Sequence, residues 1–449
     1  MNAIAASITR TRIALIGAVL WSFLPSMATA QEVAALRLSL QEAQSRAVAA
    51  SHRLAEARAR AATAEGAIAV RETAERPIVS LLGGYTRTNH VTEFVVPSAT
   101  GVPRVLYPDV PDNYRARLDA QWPIYNGGRS DALERAARAE ASAASADVGT
   151  AQADLRLEVA RAYWALVTAR AASDVLEQSL ARAQAHVRDT REQLAAGLVP
   201  PNDVASAEAQ ESRQRMLLIE ARNQRDLSSA ELSRLIDADL LQPIEPEEAL
   251  DLSAPPTSGQ QDLVAEARTT RNERQALEQR IDAAEHVRVA AERAQRPVIS
   301  LTGGFDYARP NPRIFPRTER WDDSWDAGIN ASWSFWDGGR ARAEAAQAAS
   351  AITAARQRLA EFDSVVALEV RQRLLEIDSG RAAVAAAADS VRAATEASRV
   401  VGERYRAGVI AQTEVLDAEV ARLQAELDRT RALAGVRFAE ARLARALGR

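Results

Sequence analysis

The chain contains no cysteine and no lysine. The first absence excludes disulfides, thiolate metal sites, a cysteine nucleophile and a cysteine-borne lipid anchor. The second leaves arginine as the whole basic complement. Its 56 residues are interspersed with 60 acids, giving a formal net charge of −4. No basic block stands out, so the electrostatic footprint of a nucleic-acid partner is missing. Histidine occurs only at 52, 90, 186 and 286, with no two at ligand spacing, and is expected on solvated helices or loops. Met216 is the one methionine beyond residue 30, which argues against a methionine relay for copper or silver. Gly83-Gly84 and Gly303-Gly304 lie inside strand-like stretches and not before a helix, so they are not phosphate loops. No Ser/His/Asp or paired-carboxylate arrangement stands out from the acidic helix surface. The expectation is a protein that is not an enzyme and carries no cofactor or metal.

Long apolar runs are also scarce. Ile13 to Leu24 falls short of the roughly 20 residues a spanning helix needs. Arg10 and Arg12 precede this run and Ala28-Thr29-Ala30 follows it, so residues 1–30 read as a secretory signal. An exported chain without a spanning helix is periplasmic, secreted or an outer-membrane barrel.

What is present is a duplicated unit. Trp122-Pro-Ile-Tyr-Asn-Gly-Gly-Arg129 returns as Trp333-Ser-Phe-Trp-Asp-Gly-Gly-Arg340. Before the second copy, Trp325, Ala327, Ile329, Ala331, Trp333 and Phe335 alternate with polar or small residues, the period of a strand with one apolar face. Tyr114, Ala116, Leu118, Ala120, Trp122 and Ile124 do the same before the first. After each copy come Ala, Arg, Glu and Gln, all good helix formers. Gly127, Gly128 and Arg129, and likewise Gly338, Gly339 and Arg340, form strand-to-helix elbows, because glycine accepts positive φ and Asn or Asp can cap a helix. Trp122, Tyr125, Trp333 and Trp336 gather at one strand end, as an interfacial aromatic girdle would.

Each elbow is preceded by a helical stretch, an Arg-Pro and a first strand. Helix is expected from about Ser39 to Glu75 and from Asp262 to Gln295, with strands after Pro77 and Pro297. Pro77 and Pro297 lie 220 positions apart, whereas Gly127 and Gly338 lie 211 apart, so the hairpin loop alone changes length. That is the mark of a true duplication. No proline interrupts Gly128 to Gly197 or Gly339 to Gly408, and each span would reach roughly 100 Å as one helix. Ala196-Gly-Leu-Val-Pro-Pro-Asn-Asp-Val204 and Ala407-Gly-Val-Ile-Ala-Gln-Thr-Glu-Val415 then turn the chain into return helices. The division is 1–30 signal, 31–238 first repeat, 239–261 linker and 262–449 second repeat. Four strands are too few to enclose a pore, so oligomeric closure is the expected way to satisfy both the edges and the apolar faces.

In this order and spacing, the paired Arg-Pro-Ile-Val-Ser-Leu and Arg-Pro-Val-Ile-Ser-Leu, the two elbows, and Tyr405-Arg-Ala-Gly408 followed by Glu414-Val-Leu-Asp417 resemble the TolC family of outer-membrane efflux ducts. The resemblance covers 31–449. It implies an α+β membrane protein: a homotrimer whose 12-stranded outer-membrane β-barrel continues as a periplasmic α-helical barrel. It implies outer-membrane lipid around the strands, a periplasmic adaptor, and an inner-membrane pump or ATP-driven transporter as partners. The implied function is passive export, as the exit duct of a tripartite efflux pump or a type I secretion system. A heavy-metal efflux duct, or a periplasmic coiled-coil scaffold without a pore, is the alternative. The family places constricting carboxylates at Glu414 and Asp417, and a residue at Asp203 that can bond the tyrosine at Tyr405. Its arginine in the second tip is Ile410 here, and its frequent Asn-Pro in the first helix is Ser51-His52. Gly197, Leu198 and Val199, with Gly408, Val409 and Ile410, are expected to offer an apolar docking surface for the adaptor.

Overall fold

The structure is a computed structural model that describes residues 35–99, 101–254 and 258–449. The expected signal segment lies outside the described residues. A short strand, β1 (Leu36–Leu38), leads into helices α1 (Leu40–Ala50) and α2 (His52–Glu72). Strands β2 (Ile78–Arg87), β3 (Phe94–Val96), β4 (Arg104–Tyr107) and β5 (Asp112–Tyr125) follow. The first long helix is α3 (Arg129–Ala195), and α4 (Pro201–Leu235) returns alongside it. After β6 (Ile244–Pro246) the second repeat runs through α5 (Gln260–Thr270), α6 (Asn272–Glu292), β7 (Val298–Arg309), β8 (Asp322–Ser332), α7 (Arg340–Arg406) and α8 (Gln412–Ala446).

The repeat is kept residue by residue. α3 and α7 are each 67 residues long and start 211 positions apart. α1 and α5, and α2 and α6, start 220 positions apart. At 1.5 Å per residue each 67-residue helix is about 100 Å long. α3 packs against α2, α4, α6 and α8, and α6 against α7, so the helices form one layer in which the two repeats interleave. Small buried residues carry the close approaches: Ala143 and Ala146 of α3 pack on Ala276 of α6. The densest core sits midway along α3, where Tyr163, Leu166 and Val159 meet Leu38, Ile244 and Leu232. There the segment expected as a linker is built in. β6 pairs in parallel with β1, and Tyr163 donates to the Leu38 carbonyl at 3.1 Å.

Two sequence expectations change. The stretch expected as one helix from Ser39 to Glu75 is broken at Ser51, and the stretch from Asp262 to Gln295 at Arg271. Both break residues are extended, with ψ 117 and 120. Ser51 caps the following helix by accepting from the Leu54 amide, so the break has its own hydrogen bond. Arg271, its counterpart, is held by Glu369 at 2.8 Å and Glu273 at 3.4 Å. The strand expected to reach Phe335 stops at Ser332. Its counterpart β5 continues to Tyr125 because β7 pairs with Trp122, Pro123 and Tyr125. β8 has no such neighbour on that side among the described residues.

The sheet is an antiparallel meander in the order β2-β5-β7-β8. Among the described residues it is not closed, and β2 and β8 are its edges. β3 and β4 add a small hairpin inside the first loop, which the polar and proline-rich composition of that loop had concealed.

Candidate functional site

Three places could carry function: the sheet faces, the elbows and the helical tips. On one sheet face, Leu81, Leu118, Phe305 and Trp325 form a row across all four strands. They are 75%, 46%, 45% and 73% exposed in the single chain. A continuous exposed apolar face on a four-stranded sheet marks a surface meant for something other than water. The opposite face is charged. Arg115 reaches Asp306 at 3.0 Å, Arg117 reaches Asp119 at 2.7 Å and also contacts Asp306 and Asp326, and Arg313 from the second loop reaches Asp326 at 2.9 Å. Gly304 makes room for this network, since a side chain there would strike the Arg117 guanidinium. Each acid is thus matched by an arginine, and the network is a tied polar wall with no free charge to offer an ion.

At the elbows Gly128 and Gly339 are the residues preceding the long helices, at φ 76 and 88. These left-handed values explain glycine there. Asn126 accepts from the Gly128 and Ser130 amides, and Asp337 from those of Gly339 and Ala341 at 2.9 and 2.8 Å. The Ala341 amide, with those of Gly339 and Gln295, holds the Asp337 carboxyl below the usual carboxylate range. The elbow tryptophans are tethered too: Trp122 donates to the Glu75 carbonyl and Trp333 to that of Gln295. The first elbow is also clasped from the second repeat. Arg296 donates to Gly127 O at 3.0 Å and Arg293 to Gly128 O at 2.7 Å. Arg129 makes no such tether, while Arg340 pairs with Glu344 at 2.8 Å.

The tips are two helix-turn-helix ends with the same closure. Gly197 N donates to Leu194 O and Leu198 N to Gln193 O; Gly408 and Val409 repeat this with Tyr405 and Arg404. This is the Schellman pattern, with glycine in the left-handed position. Leu198 and Val409 are exposed, whereas Val199 and Ile410 are half-buried. Glu414 and Asp417 lie on the exposed side of α8, opposite the buried Gln412 and Val415.

The hydrogen bond expected between Asp203 and Tyr405 is not formed. Asp203 sits in the first turn of α4, where the helix dipole favours its charge and Asn202 donates to its carboxylate at 3.1 Å. The hairpins are joined instead by Gln412, which donates to the Asp203 carbonyl at 2.8 Å. Tyr405 lacks a well-formed hydrogen bond, and burial raises its pKa although the Thr190 hydroxyl works in the other direction. Its ring lies 5.8 Å from that of His186. His186 was expected in solvent. It is half-buried instead, beside a cavity of about 420 Å³ that Tyr405, Gln214, Ser398 and Glu419 also line. Burial lowers its pKa and so favours the neutral ring, against the pull of Asp189 and Glu419. Its isolation in the sequence hid this, because the neighbours come from α4, α7 and α8. Among the described residues no helix is long and apolar enough to cross a membrane, and no group of His, Asp and Glu is placed to hold a metal ion.

Similarity to known proteins agrees with this arrangement. Sequence comparison with curated proteins gives no match. Among solved structures, the outer-membrane channel OprN superposes with a TM-score of 0.75 at 19% identity, over 91% of this chain and 89% of that one. The CmeC outer-membrane channel of Campylobacter jejuni gives 0.75 at 17%, over 91% and 85%. The open state of the MtrE outer-membrane channel of Neisseria gonorrhoeae gives 0.72 at 21%, over 91% and 88%. At these identities the likeness speaks for the fold. The family itself is shown by the sequence model for outer membrane efflux proteins, which matches residues 43–237 and 263–449. The chain belongs to the outer membrane efflux protein family, whose members are channels of the outer membrane that extend into the periplasm.

Proposed function

We propose that three copies of this chain form a passive exit duct. Each copy contributes its four strands to one 12-stranded barrel and its helices to one periplasmic tube. The single observation that carries this is the four-stranded sheet with two free edges, an exposed apolar face and a polar face. Two copies supply eight strands, about the number at which a barrel is filled by its own side chains, so a water-filled lumen needs more. Three copies supply twelve. The meander has an even number of strands, so β8 of one copy meets β2 of the next in antiparallel sense, as the other pairs do. The apolar face then meets lipid and the charged face lines water.

The duct is powered from elsewhere. An inner-membrane pump or ATP-driven transporter loads it, and a periplasmic adaptor docks on the tips around Leu198, Val199, Val409 and Ile410. Glu414 and Asp417, repeated three times at the narrow end, form an acidic constriction. The Gln412–Asp203 bond and the His186–Tyr405 contact hold each hairpin pair in its resting position. What supports the gate is the exposure of both carboxylates on one side of α8 at the tip.

The assignment of faces can be tested directly. Leu118→Arg places a charge on the lipid side and should cost about 2–4 kcal/mol near the bilayer midplane. Gln121→Arg, on the other face of the same strand, should be accepted. Outer-membrane yield and heat-modifiable gel migration of the two variants are the readouts. Equal yields would remove the basis for a lipid-facing sheet.

A further inference from the structure

The internal duplication offers a template for the seam that the single chain leaves open. Under the two sequence offsets the hairpin β2-β5 maps onto β7-β8 without a slip. Ile78 pairs with Gln121 in the first, and their counterparts Val298 and Ser332 pair in the second. The helices map equally well, down to their first and last residues. The chain therefore contains one finished junction between repeats, β5 to β7, and two halves of an unfinished one, β8 and β2.

We infer that β8 of one copy pairs with β2 of the next in the register of the β5-β7 junction, placing Ser332 opposite Leu82 of the partner subunit. This rests on the trimeric reading above and adds the register to it. In the finished junction Gln121 is opposite Thr302, Leu118 opposite Phe305, and Trp122 opposite Leu301. Their counterparts set Ile329 opposite Tyr85 of the partner subunit and Trp333 opposite Leu81 of the partner subunit. A slip of one residue would turn the apolar face of one strand into the lumen. A slip of two would keep the faces but displace the strands by about 7 Å, at roughly 3.3 Å per residue. The attached helices, which continue from both strands, would then lose the phase in which α6 packs on α3.

The frayed ends of the edge strands agree with this. β5 extends four residues beyond its last pair with β2, held by β7 alone. The matching residues 333–336, just past the end of β8, are outside any strand, and Trp333 and Trp336 are 63% and 80% exposed. At the other end β7 gains Arg309 through pairing with Tyr114 of β5 alone, whereas β2 stops at Arg87, short of the matching Asn89. Both strands are short on the side facing the missing neighbour. On assembly β8 lengthens toward Trp336, and β2 toward Asn89.

The absence of cysteine makes the register measurable. Residues directly opposite in an antiparallel pair have Cα atoms about 4.5–5.5 Å apart, within disulfide reach. Ser332→Cys is combined in turn with Ser80→Cys, Leu82→Cys or Gly84→Cys, all on the same face, in the full-length protein in native outer membranes. Gln121→Cys with Thr302→Cys is the control inside one chain. After mild oxidation, the 332/82 pair should give covalent dimer and trimer bands about fivefold stronger than either displaced pair, whose Cα separations exceed disulfide reach. Ala331→Cys with Gly83→Cys, on the opposite face, should also cross-link, which guards against an unfavourable local geometry. Stronger linkage through 80 or 84 would overturn the register while leaving the assembly intact. No intermolecular linkage at any pair, together with monomeric migration while the control links, would overturn the assembly and the register together.

Discussion

Replacing Arg445 by methionine should open the middle of the helical layer locally by about 3 kcal/mol, the lower part of the range for breaking a buried ion pair. Arg445 is 7% exposed near the end of α8. It reaches Asp154 of α3 at 2.7 Å and Glu273 of α6 at 2.5 Å, so one guanidinium ties the first repeat to two elements of the second. Methionine fills the stem but leaves Glu273 largely buried without its closest partner. Arg271, 3.4 Å from Glu273, keeps the loss from being larger. Amide hydrogen exchange at the start of α6 and the end of α8 should quicken by roughly a hundredfold, by local opening and not global unfolding. Unchanged exchange would mean the tie is incidental. The pH dependence has a definite sign. Burial pushes the Glu273 carboxyl upward, but the hydrogen bond and charge of Arg445 outweigh it, and the folded pKa is lowered from 4.5. A carboxylate with a depressed folded pKa stabilises the fold above its unfolded pKa and loses that contribution as pH falls through the folded value. The stabilisation that wild type draws from the charged, paired Glu273 should therefore be fully present above about pH 4.5, the unfolded value, and fade as pH falls through the lower folded value.

Converting Glu414 to Gln together with Asp417 to Asn should remove most of the cation preference of the pore. Three copies would place six carboxylates around the narrow end, where a low-dielectric wall strengthens their joint field. Rings of this kind select cations in channels. The double amide keeps size and helix propensity, and neither side chain is buried, so assembly should be unaffected. In planar bilayers, the cation-to-anion permeability ratio should fall several-fold toward unity, and block by divalent cations should weaken. Wild-type selectivity in the variant would place the constriction elsewhere.

Much of this was legible in the residues. The alternation before Trp122 and Trp333, the Gly-Gly elbows and the proline-free spans fixed strands, turns and long helices, because each depends on local periodicity and backbone freedom. The breaks at Ser51 and Arg271 were not legible as breaks. Neither residue is a glycine or proline, and their extended conformation is stabilised by a cap and by ion pairs from other elements. The truncation of β8 is likewise a property of pairing, since the alternation through Phe335 is intact but no strand among the described residues pairs with β8 on its outer side. At the tip, the positions of Glu414 and Asp417 came through resemblance. The roles of Gln412 and His186 did not, since glutamine and histidine on a helix carry no pattern until three helices bring their neighbours together. Arg445 shows the same limit: one arginine among 56 basic residues has no distinguishing spacing.

The central claim is that this chain becomes a three-fold tube. Electron-microscope images of the detergent-extracted, full-length protein test it most directly. With 67-residue helices standing along the axis, the particle should be three-fold symmetric, well over 100 Å long by the helical rise, and traversed by a continuous channel from the barrel to the tip. A compact, near-spherical particle, or an elongated one without three-fold symmetry or a channel, would contradict it.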